Sequence, residues 1–301
     1  MTSSSADVTT FSSSGTIHEE RHEFSGGMET VVPDGTLAIG YVQSDEHDYH
    51  SKIVSAGGTR EFFTKNTVVG FGFASGDDTI NSSANPTFDE RMRNQVYSLS
   101  LTQILSKKSL IQFLYDFRVE NGYLASPYRK AKFDDGNGNI TGRAEVHPRT
   151  RNRNAFAVKY NYFFDQYAIS NANTYRLYQD SWGIMSHTLE TRFTKDFGTK
   201  FSLGVALRFY MQNKAKFYSE YYDDSPVFYT GNKTLATYSS YLISVRPAWN
   251  VTDHWTLYLK AETYQQKFKD AVDAYSLSTK SDDKSLGISA FVVGLGASIK
   301  F

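Results

Sequence analysis

The sequence predicts an all-β protein, a transmembrane antiparallel up-and-down β-barrel with about 13 strands in this chain. Three observations support this prediction. Apolar and polar residues alternate at period two in many segments, the connections between these segments alternate between short and long, and the chain ends on an aromatic residue inside such a segment. Period two places successive side chains on opposite faces of a strand. A barrel wall between lipid and water requires this pattern in every strand.

The C-terminal segment shows the alternation most clearly. Phe301 belongs to an apolar face that continues at every second residue back to Phe291, whereas Lys300 and Ser298 lie on the other face. The segment has about the length of 9–11 residues that a membrane-spanning strand needs. A terminal aromatic residue resembles the signal that the barrel assembly machinery of Gram-negative bacteria reads. Phe301 is therefore the candidate assembly signal, and this machinery is a predicted partner.

Thirteen segments share the alternation, and no helical period of 3.6 residues competes over a comparable length. Apolar and aromatic residues fill one face of each segment, and polar or small residues fill the other. The predicted strands are residues 17–30, 36–45, 50–62, 67–76, 93–104, 109–120, 151–163, 167–179, 184–195, 200–214, 235–249, 255–269 and 287–301.

The connections between the predicted strands sort by length. Short turns such as VPDG and DFGTK alternate with a second set that contains the long connections. Short periplasmic turns and long external loops are typical of outer-membrane barrels. The alternative, a soluble β-protein with an exposed edge strand, gives no reason for such sorting and would aggregate. We therefore expect one barrel domain over residues 1–301, with an external loop or partial strand at 1–16 and long external loops near 77–92, 121–150, 215–234 and 270–286.

Strand parity predicts that the native barrel is larger. Single-chain bacterial barrels have an even number of strands and start in the periplasm, whereas 13 strands ending at a periplasmic Phe301 would start outside. The N-terminus also has no basic region followed by an apolar one, as a signal peptide would. We expect a barrel of 14 or 16 strands, with N-terminal strands and a signal peptide lost by truncation. The alternative is a short first strand at residues 5–11.

Composition excludes several classes of function. The 301 residues contain 32 basic and 32 acidic side chains, so the formal net charge is zero and no basic excess attracts nucleic acid. Cysteine is absent, which removes disulfides and thiolate chemistry. No run of residues approaches the about 20 apolar residues of a membrane-spanning helix. We predict no enzymatic activity and no cofactor.

Several stretches resemble a family of Gram-negative outer-membrane barrel proteins that are described only as proteins of unknown function. They are YRLYQDSWGIMSHTLETRF, LRFYMQNKAKFY, NGYLASPYRK, RTRNRNAFAVKYNYFF and SLTQILSKKSLIQFLYDF, and in order and spacing they cover most of residues 90–301. The resemblance implies further N-terminal strands and a cleaved signal peptide, in agreement with the parity. It implies no activity.

Charged residues on the polar faces of the strands are predicted to line the lumen. Neighbouring strands lie about 5 Å apart, so these charges reach one another across the wall. One interpretation is a salt-bridged, hydrated interior, and the other is a constriction that selects permeating solutes. Mixed signs argue against strong selectivity for cations or anions. The candidates are Glu190, Arg192, Arg208, Arg246, Lys260, Glu262, Asp116, Arg118 and Lys159.

The external rim contains candidate metal ligands and a tight turn. Imidazoles and carboxylates there are ligand types for a divalent metal, and the alternative is a solvated polar rim that faces lipopolysaccharide cations. In the tight turn that follows Asp180, Trp182 suits the aromatic girdle at a membrane interface. Ser181, His187 and Asp180 are close in sequence, but this proximity is no evidence for a catalytic triad. The metal candidates are His18, Glu20, His22, His47 and His50.

These observations lead to one main functional hypothesis and two alternatives. The main hypothesis is a porin-like channel for small solutes, in which the long loop 121–150 or the tyrosine-rich loop 216–230 could fold inward. The first alternative is a closed barrel that serves as a scaffold or conduit for an envelope partner, for example in redox chemistry. An outer-membrane enzyme is the second. We expect a location in the bacterial outer membrane, contact with its lipid and lipopolysaccharide, and leave homo-oligomerisation open.

Overall fold

The structure is a computed structural model, which describes residues 20–137, 139–224, 226–272 and 285–300. In these ranges almost all regular secondary structure is β-strand. The strands are β1 (His22–Val32), β2 (Gly35–Asp45), β3 (Tyr49–Phe62), β4 (Thr67–Asn81), β5 (Asp89–Ser106), β6 (Ser109–Gly122), β7 (Lys130–Asp134), β8 (Ile140–Ala144), β9 (Thr150–Phe164), β10 (Ile169–Asp180), β11 (Met185–Phe197), β12 (Phe201–Gln212), β13 (Tyr238–Asn250), β14 (Trp255–Val272) and β15 (Ser285–Ile299).

Thirteen of the described strands form one antiparallel sheet. Each pairs with the next along the chain, in the order β1 to β6 and then β9 to β15, without a crossover. The predicted up-and-down arrangement of 13 strands is therefore confirmed. In the described residues β1 and β15 are the two edges, so the sheet is open between them. No helix in the described ranges is long and apolar enough to span a membrane.

The outer face of the sheet is apolar and exposed. On β15, Leu295 is 85% and Phe291 72% exposed, and large apolar side chains on the other strands are exposed in the same way. A soluble monomer rarely exposes so large a continuous apolar surface. The alternation that predicted the strands thus separates a lipid-compatible face from a polar inner face. The predicted assembly signal Phe301 lies outside the described residues.

The two ends of the sheet differ as the sequence predicts. At one end, called the turn end, the connections are residues 33–34, 63–66, 107–108, 165–168, 198–200 and 251–254. At the other end, called the loop end, they include the long segments 123–149 and 213–237. The predicted loop at 77–92 is shorter in the structure, because β4 continues to Asn81 and β5 begins at Asp89.

The sequence prediction did not include the small β7–β8 hairpin. Its strands have five residues each, too few for a period-two pattern to stand out from the surrounding polar loop. Gly122 directs the chain into this region at the end of β6. Its φ angle is +121°, and a Cβ at this position would lie 2.1 Å from the carbonyl oxygen of Arg91. Only glycine fits this departure from the wall.

Candidate functional site

The described residues of 123–149 and 213–237 fold together at the loop end, and we call them the cap. A parallel bridge joins Phe133 to Tyr222, and an antiparallel bridge joins Val146 to Tyr229. The cap core also packs against the inner face of the wall, where it contacts Phe268 of β14. This packing is consistent with the sequence interpretation in which the loop 121–150 or the tyrosine-rich loop 216–230 folds inward.

On the inner face of β11 to β15, between the middle of these strands and the turn end, charged side chains line a cavity of about 790 Å³. Antiparallel register explains why these residues meet. Glu190 of β11 lies opposite Arg208 of β12, and Ser244 of β13 lies opposite Glu262 of β14. Six of the nine predicted lumen residues line this cavity, namely Glu190, Arg192, Arg208, Arg246, Lys260 and Glu262.

Each carboxylate of the cavity has a cation two residues away on its own strand. Arg192 Nη2 lies 3.4 Å from Glu190 Oε1, and Lys260 Nζ lies 2.7 Å from Glu262 Oε2. A separation of two residues returns a side chain to the same face of a strand, which explains both pairs. The cavity wall is therefore polar and partly salt-bridged.

The other three predicted lumen residues lie elsewhere on the inner face. Asp116 accepts a hydrogen bond from Ser98 Oγ at 2.6 Å. Arg118 Nη1 is 3.8 Å from Glu120 Oε1 near the loop end. Lys159 is exposed on β9. These three belong to the same face as the cavity but do not line it, so their role in selectivity stays a prediction.

The metal candidates do not form a ligand group in the described residues. His22 Nε2 lies 3.8 Å from Glu20 Oε2, and His50 Nδ1 lies 3.1 Å from a carboxylate oxygen of β2. Over the described ranges, no three His, Asp or Glu side chains converge as metal ligands would. His18 lies outside the described residues, and a metal site at this rim stays a prediction.

A buried carboxylate holds the two halves of the cap together. The Glu145 side chain has no exposed surface. Its Oε1 accepts hydrogen bonds from Thr230 Oγ1 at 2.6 Å and from the Gly231 amide at 2.9 Å. Its Oε2 accepts one from the Ser126 amide at 3.3 Å, and Arg129 Nη1 lies 3.7 Å away. A carboxylate with several donors is a strong tie between segments that are distant in sequence.

His147 lies next to this carboxylate. Its Nδ1 is 2.8 Å from the carbonyl oxygen of Leu124, so Nδ1 carries the proton and donates it. Nε2 is buried without a hydrogen-bond partner, 3.6 Å from Glu145 Oε2. Burial lowers the pKa of His147 below its usual value, against the opposing effect of the nearby carboxylate. The ring is therefore neutral in the folded cap.

The pKa shift of His147 predicts that acid loosens the cap. The unfolded cap binds a proton more readily than the folded cap, so this contribution to stability is complete above pH ~6.5 and decreases as the pH falls below it. Glu145, Arg129 and Arg151 also face this ring, and the first of them limits the loss. The measurement is the acid-induced change in the emission of Trp182 as the sole tryptophan, and His147→Gln should remove the part of this change that occurs below pH ~6.5. An identical titration in both proteins would contradict the prediction.

Trp182 is the centre of an aromatic cluster under the cap and not part of an interfacial girdle, as its sequence position had suggested. It is 4% exposed, and its Nε1 donates to the carbonyl oxygen of Thr150 at 3.0 Å. The guanidinium of Arg151 lies 4.1 Å from the ring centre. His147 and Phe217 meet the ring edge-on at 5.2 and 5.1 Å. The turn that contains Trp182 is short enough for the longer loops of the cap to cover it, and the cap therefore buries Trp182.

Asp180 links the wall to this cluster. Arg151 Nη2 donates to its Oδ2 at 2.5 Å, and Tyr178 OH donates to the same oxygen at 2.8 Å. Its Oδ1 accepts from the Ile184 amide at 2.9 Å, which closes the tight turn. Sequence reasoning identified the turn but not this ion pair, because Asp180 and Arg151 are on strands 29 positions apart.

Ser181, His187 and Asp180, which are close in sequence, have other partners than one another. Ser181 Oγ accepts from the Asn152 amide at 3.0 Å. His187 Nδ1 lies 2.7 Å from Tyr175 OH. Asp180 is saturated by the contacts described above. The three side chains stabilise a hairpin and do not form a chain of hydrogen bonds.

The fold and this inner wall define a protein of the outer-membrane β-barrel class. Within this class, residues 4–97 and 88–281 match the family described as "Protein of unknown function (DUF3570)", and the chain belongs to this family. None of the curated proteins matches the sequence.

Two solved structures are similar in fold. The siderophore receptor PirA from Pseudomonas aeruginosa is 13% identical, with a TM-score of 0.57 over 93% of this chain and 50% of PirA. CdiB from Escherichia coli is 9% identical, with a TM-score of 0.51 over 92% of this chain and 53% of CdiB. This chain thus spans about half the length of each. At such identities the similarity shows the β-barrel fold alone.

Proposed function

We propose that the protein is a porin-like channel for small solutes in the bacterial outer membrane. The observation that supports this best is the charged cavity of about 790 Å³ on the inner face of a sheet whose outer face is apolar. A hydrated, charged inner wall lets polar solutes cross at low desolvation cost. Lipid and lipopolysaccharide would contact the outer face.

The cap supports a gate in this channel. Its halves meet over the inner face at the loop end, where Glu145 and Trp182 are buried. Solute entry would require residues 123–149 and 213–237 to separate, and local openings of this kind are typical of loops. The proposed channel therefore opens only part of the time.

The same cap also favours the alternative function, a closed barrel that acts as a scaffold or conduit for an envelope partner. A cap with its own aromatic core, in which Phe133 stacks on Tyr222 at 5.3 Å between ring centres, is more than a passive loop. If the cap never opens, the inner wall would not conduct, and the outer surface of the cap would be the place for a partner to bind.

A lock between the two halves of the cap tests the proposed function. Val146 and Tyr229 exchange two backbone hydrogen bonds, at 3.1 and 2.9 Å. Such pairs have Cα atoms about 5.5 Å apart, within the range for a disulfide. Because the chain has no cysteine, Val146→Cys with Tyr229→Cys would form one defined cross-link. We expect current steps in a planar bilayer for the reduced protein and none for the oxidised protein.

Three controls and outcomes complete this experiment. Val146→Cys alone should conduct equally in both redox states, because it cannot form the intramolecular bond. Open steps that persist after oxidation would contradict the gate but retain the channel. Silence of the folded wild-type protein in every condition would overturn the porin-like function and favour the closed barrel.

A further inference from the structure

We propose that Arg208 and Arg246, which lie four positions apart in register on β12 and β13, are separate anchor points for the anionic group of a small solute, a carboxylate or a phosphate, inside the lumen. This inference rests on the proposed channel function and specifies its substrate class. The sequence alone suggested weak selectivity because the signs are mixed. In the structure, each carboxylate of the cavity already lies close to a cation, and this changes the expectation.

The cavity has an excess of positive charge. Four of its lining side chains are cationic and two are anionic. The carboxylates already have close cations, Arg192 for Glu190 and Lys260 for Glu262. None of the ion pairs in the described part of the chain involves Arg208, although Glu190 lies opposite it in register.

Arg246 shows the excess more directly. Its guanidinium lies 4.4 Å from the ring centre of Tyr258, and it forms no ion pair with a carboxylate of the described residues. The flanking pairs Val245–Ala261 and Ala248–Tyr258 place it opposite Lys260. Like charges opposite each other on two strands are destabilising. An anion bound between them would relieve this repulsion.

The arginine geometry suits an oxyanion. A guanidinium presents five N–H donors in a planar fork that matches carboxylate and phosphate oxygens, and stacking on an aromatic face leaves these donors at the edge available. Both Arg208 and Arg246 are exposed to the cavity. The cavity volume falls in the range of about 300–1,000 Å³ of small-molecule sites, so it accommodates a small organic anion with water.

Ion selectivity and block test the site. In a salt gradient across a planar bilayer we expect chloride to permeate better than potassium. Succinate and inorganic phosphate, as the two probes, should reduce the chloride current, and the probe that acts at the lower concentration identifies the preferred group. Arg208→Ala with Arg246→Ala should weaken the block and the anion preference by about fivefold, the order expected when one unit charge about 4 Å from the bound anion in water is lost.

Two matched variants distinguish the effect of the positive charge from the effect of the planar guanidinium group. Arg208→Lys with Arg246→Lys keeps the charge but removes the planar fork, so it should retain the anion preference and lose most of the block. Arg93→Ala removes an arginine that pairs with Asp77 outside the cavity, and it should change neither quantity. Both cavity arginines are exposed, so their removal should leave the heat-modifiable fold intact.

The outcomes distinguish this site from the channel itself. Currents that are equal for the two ions, or block that is unchanged in the Arg208→Ala and Arg246→Ala protein, would overturn the anion site and leave the channel standing. If no current appears, the channel function fails. Equilibrium dialysis of labelled succinate and phosphate against the folded protein in detergent then decides the site, because binding does not require conduction. Equal binding by wild type and the double variant would overturn it.

Discussion

Replacing Glu145 by alanine is expected to open the cap. The substitution removes the acceptor of hydrogen bonds from Thr230, Gly231 and Ser126, and it removes the contact of Arg129 with the Glu145 carboxylate. Loss of one partner from a buried ionic group costs roughly 3–5 kcal/mol. We expect trypsin to cleave within residues 123–149 at least about 100-fold faster than in the wild type, since about 1.4 kcal/mol corresponds to a factor of ten.

The matched control is Glu90→Ala. Glu90 pairs with Arg149 across the base of the cap, but the arginine side chain is 61% exposed. Exposed ion pairs contribute about 0–1 kcal/mol, so cleavage should increase by less than about fivefold. If both substitutions changed the cleavage rate equally, Glu145 would not be the main tie of the cap.

Trp182→Ala is expected to loosen the cap from the side of the wall. The substitution removes the ring that contacts Arg151, His147 and Phe217 and leaves a large hole between the turn and the cap. Truncation of a buried tryptophan to alanine costs about 3–5 kcal/mol. Because the cap covers the inner face, we expect more frequent and longer open steps in a planar bilayer, with an unchanged barrel by heat-modifiability.

Two control variants accompany the Trp182→Ala experiment. Trp182→Phe keeps an aromatic ring but loses the hydrogen bond to the Thr150 carbonyl, and it should cost only about 1 kcal/mol. Trp249→Ala, at a tryptophan that is 55% exposed on the outer face, should leave gating unchanged. If Trp182→Ala showed open steps at the wild-type frequency, the cap would not be the gate of the channel.

Glu145 and Trp182 act on the same structure from different segments, which makes their combination informative. Glu145 joins the two cap segments to each other, whereas Trp182 joins the cap to the turn between β10 and β11. His147 contacts both side chains. Substitutions within one such cluster are not additive, so the double variant should weaken the cap by less than the sum of its parts.

The position of each wall strand could be predicted because its cause is local. Every strand meets lipid on one side and the polar interior on the other, so residues such as Leu257 and Tyr258 must alternate within a few positions of each other. Strand ends were less predictable. β4 and β5 continue past the point where the alternation fades, because their antiparallel pairing extends beyond Asp77 and Arg93 to Asn81 and Asp89.

The charged cavity was predicted in part. Period two identified Arg208 and Arg246 as inward-facing, but the sequence could not say which carboxylate is close to which cation. That depends on register between strands and on side-chain conformation. Only the structure therefore shows these contacts. Glu190 pairs with Arg192, and the guanidinium of Arg246 lies over the ring of Tyr258.

The sequence by itself determined the antiparallel wall, the identity of its two faces and the separation of a turn end from a loop end. Each of these follows from a pattern that repeats along the chain. Only the tertiary structure decided that residues 123–149 and 213–237 form a cap around Glu145, His147 and Trp182. These residues are far apart in sequence and show no period, and they meet because the wall brings the ends of distant strands to one rim, where buried polar and aromatic groups must find partners.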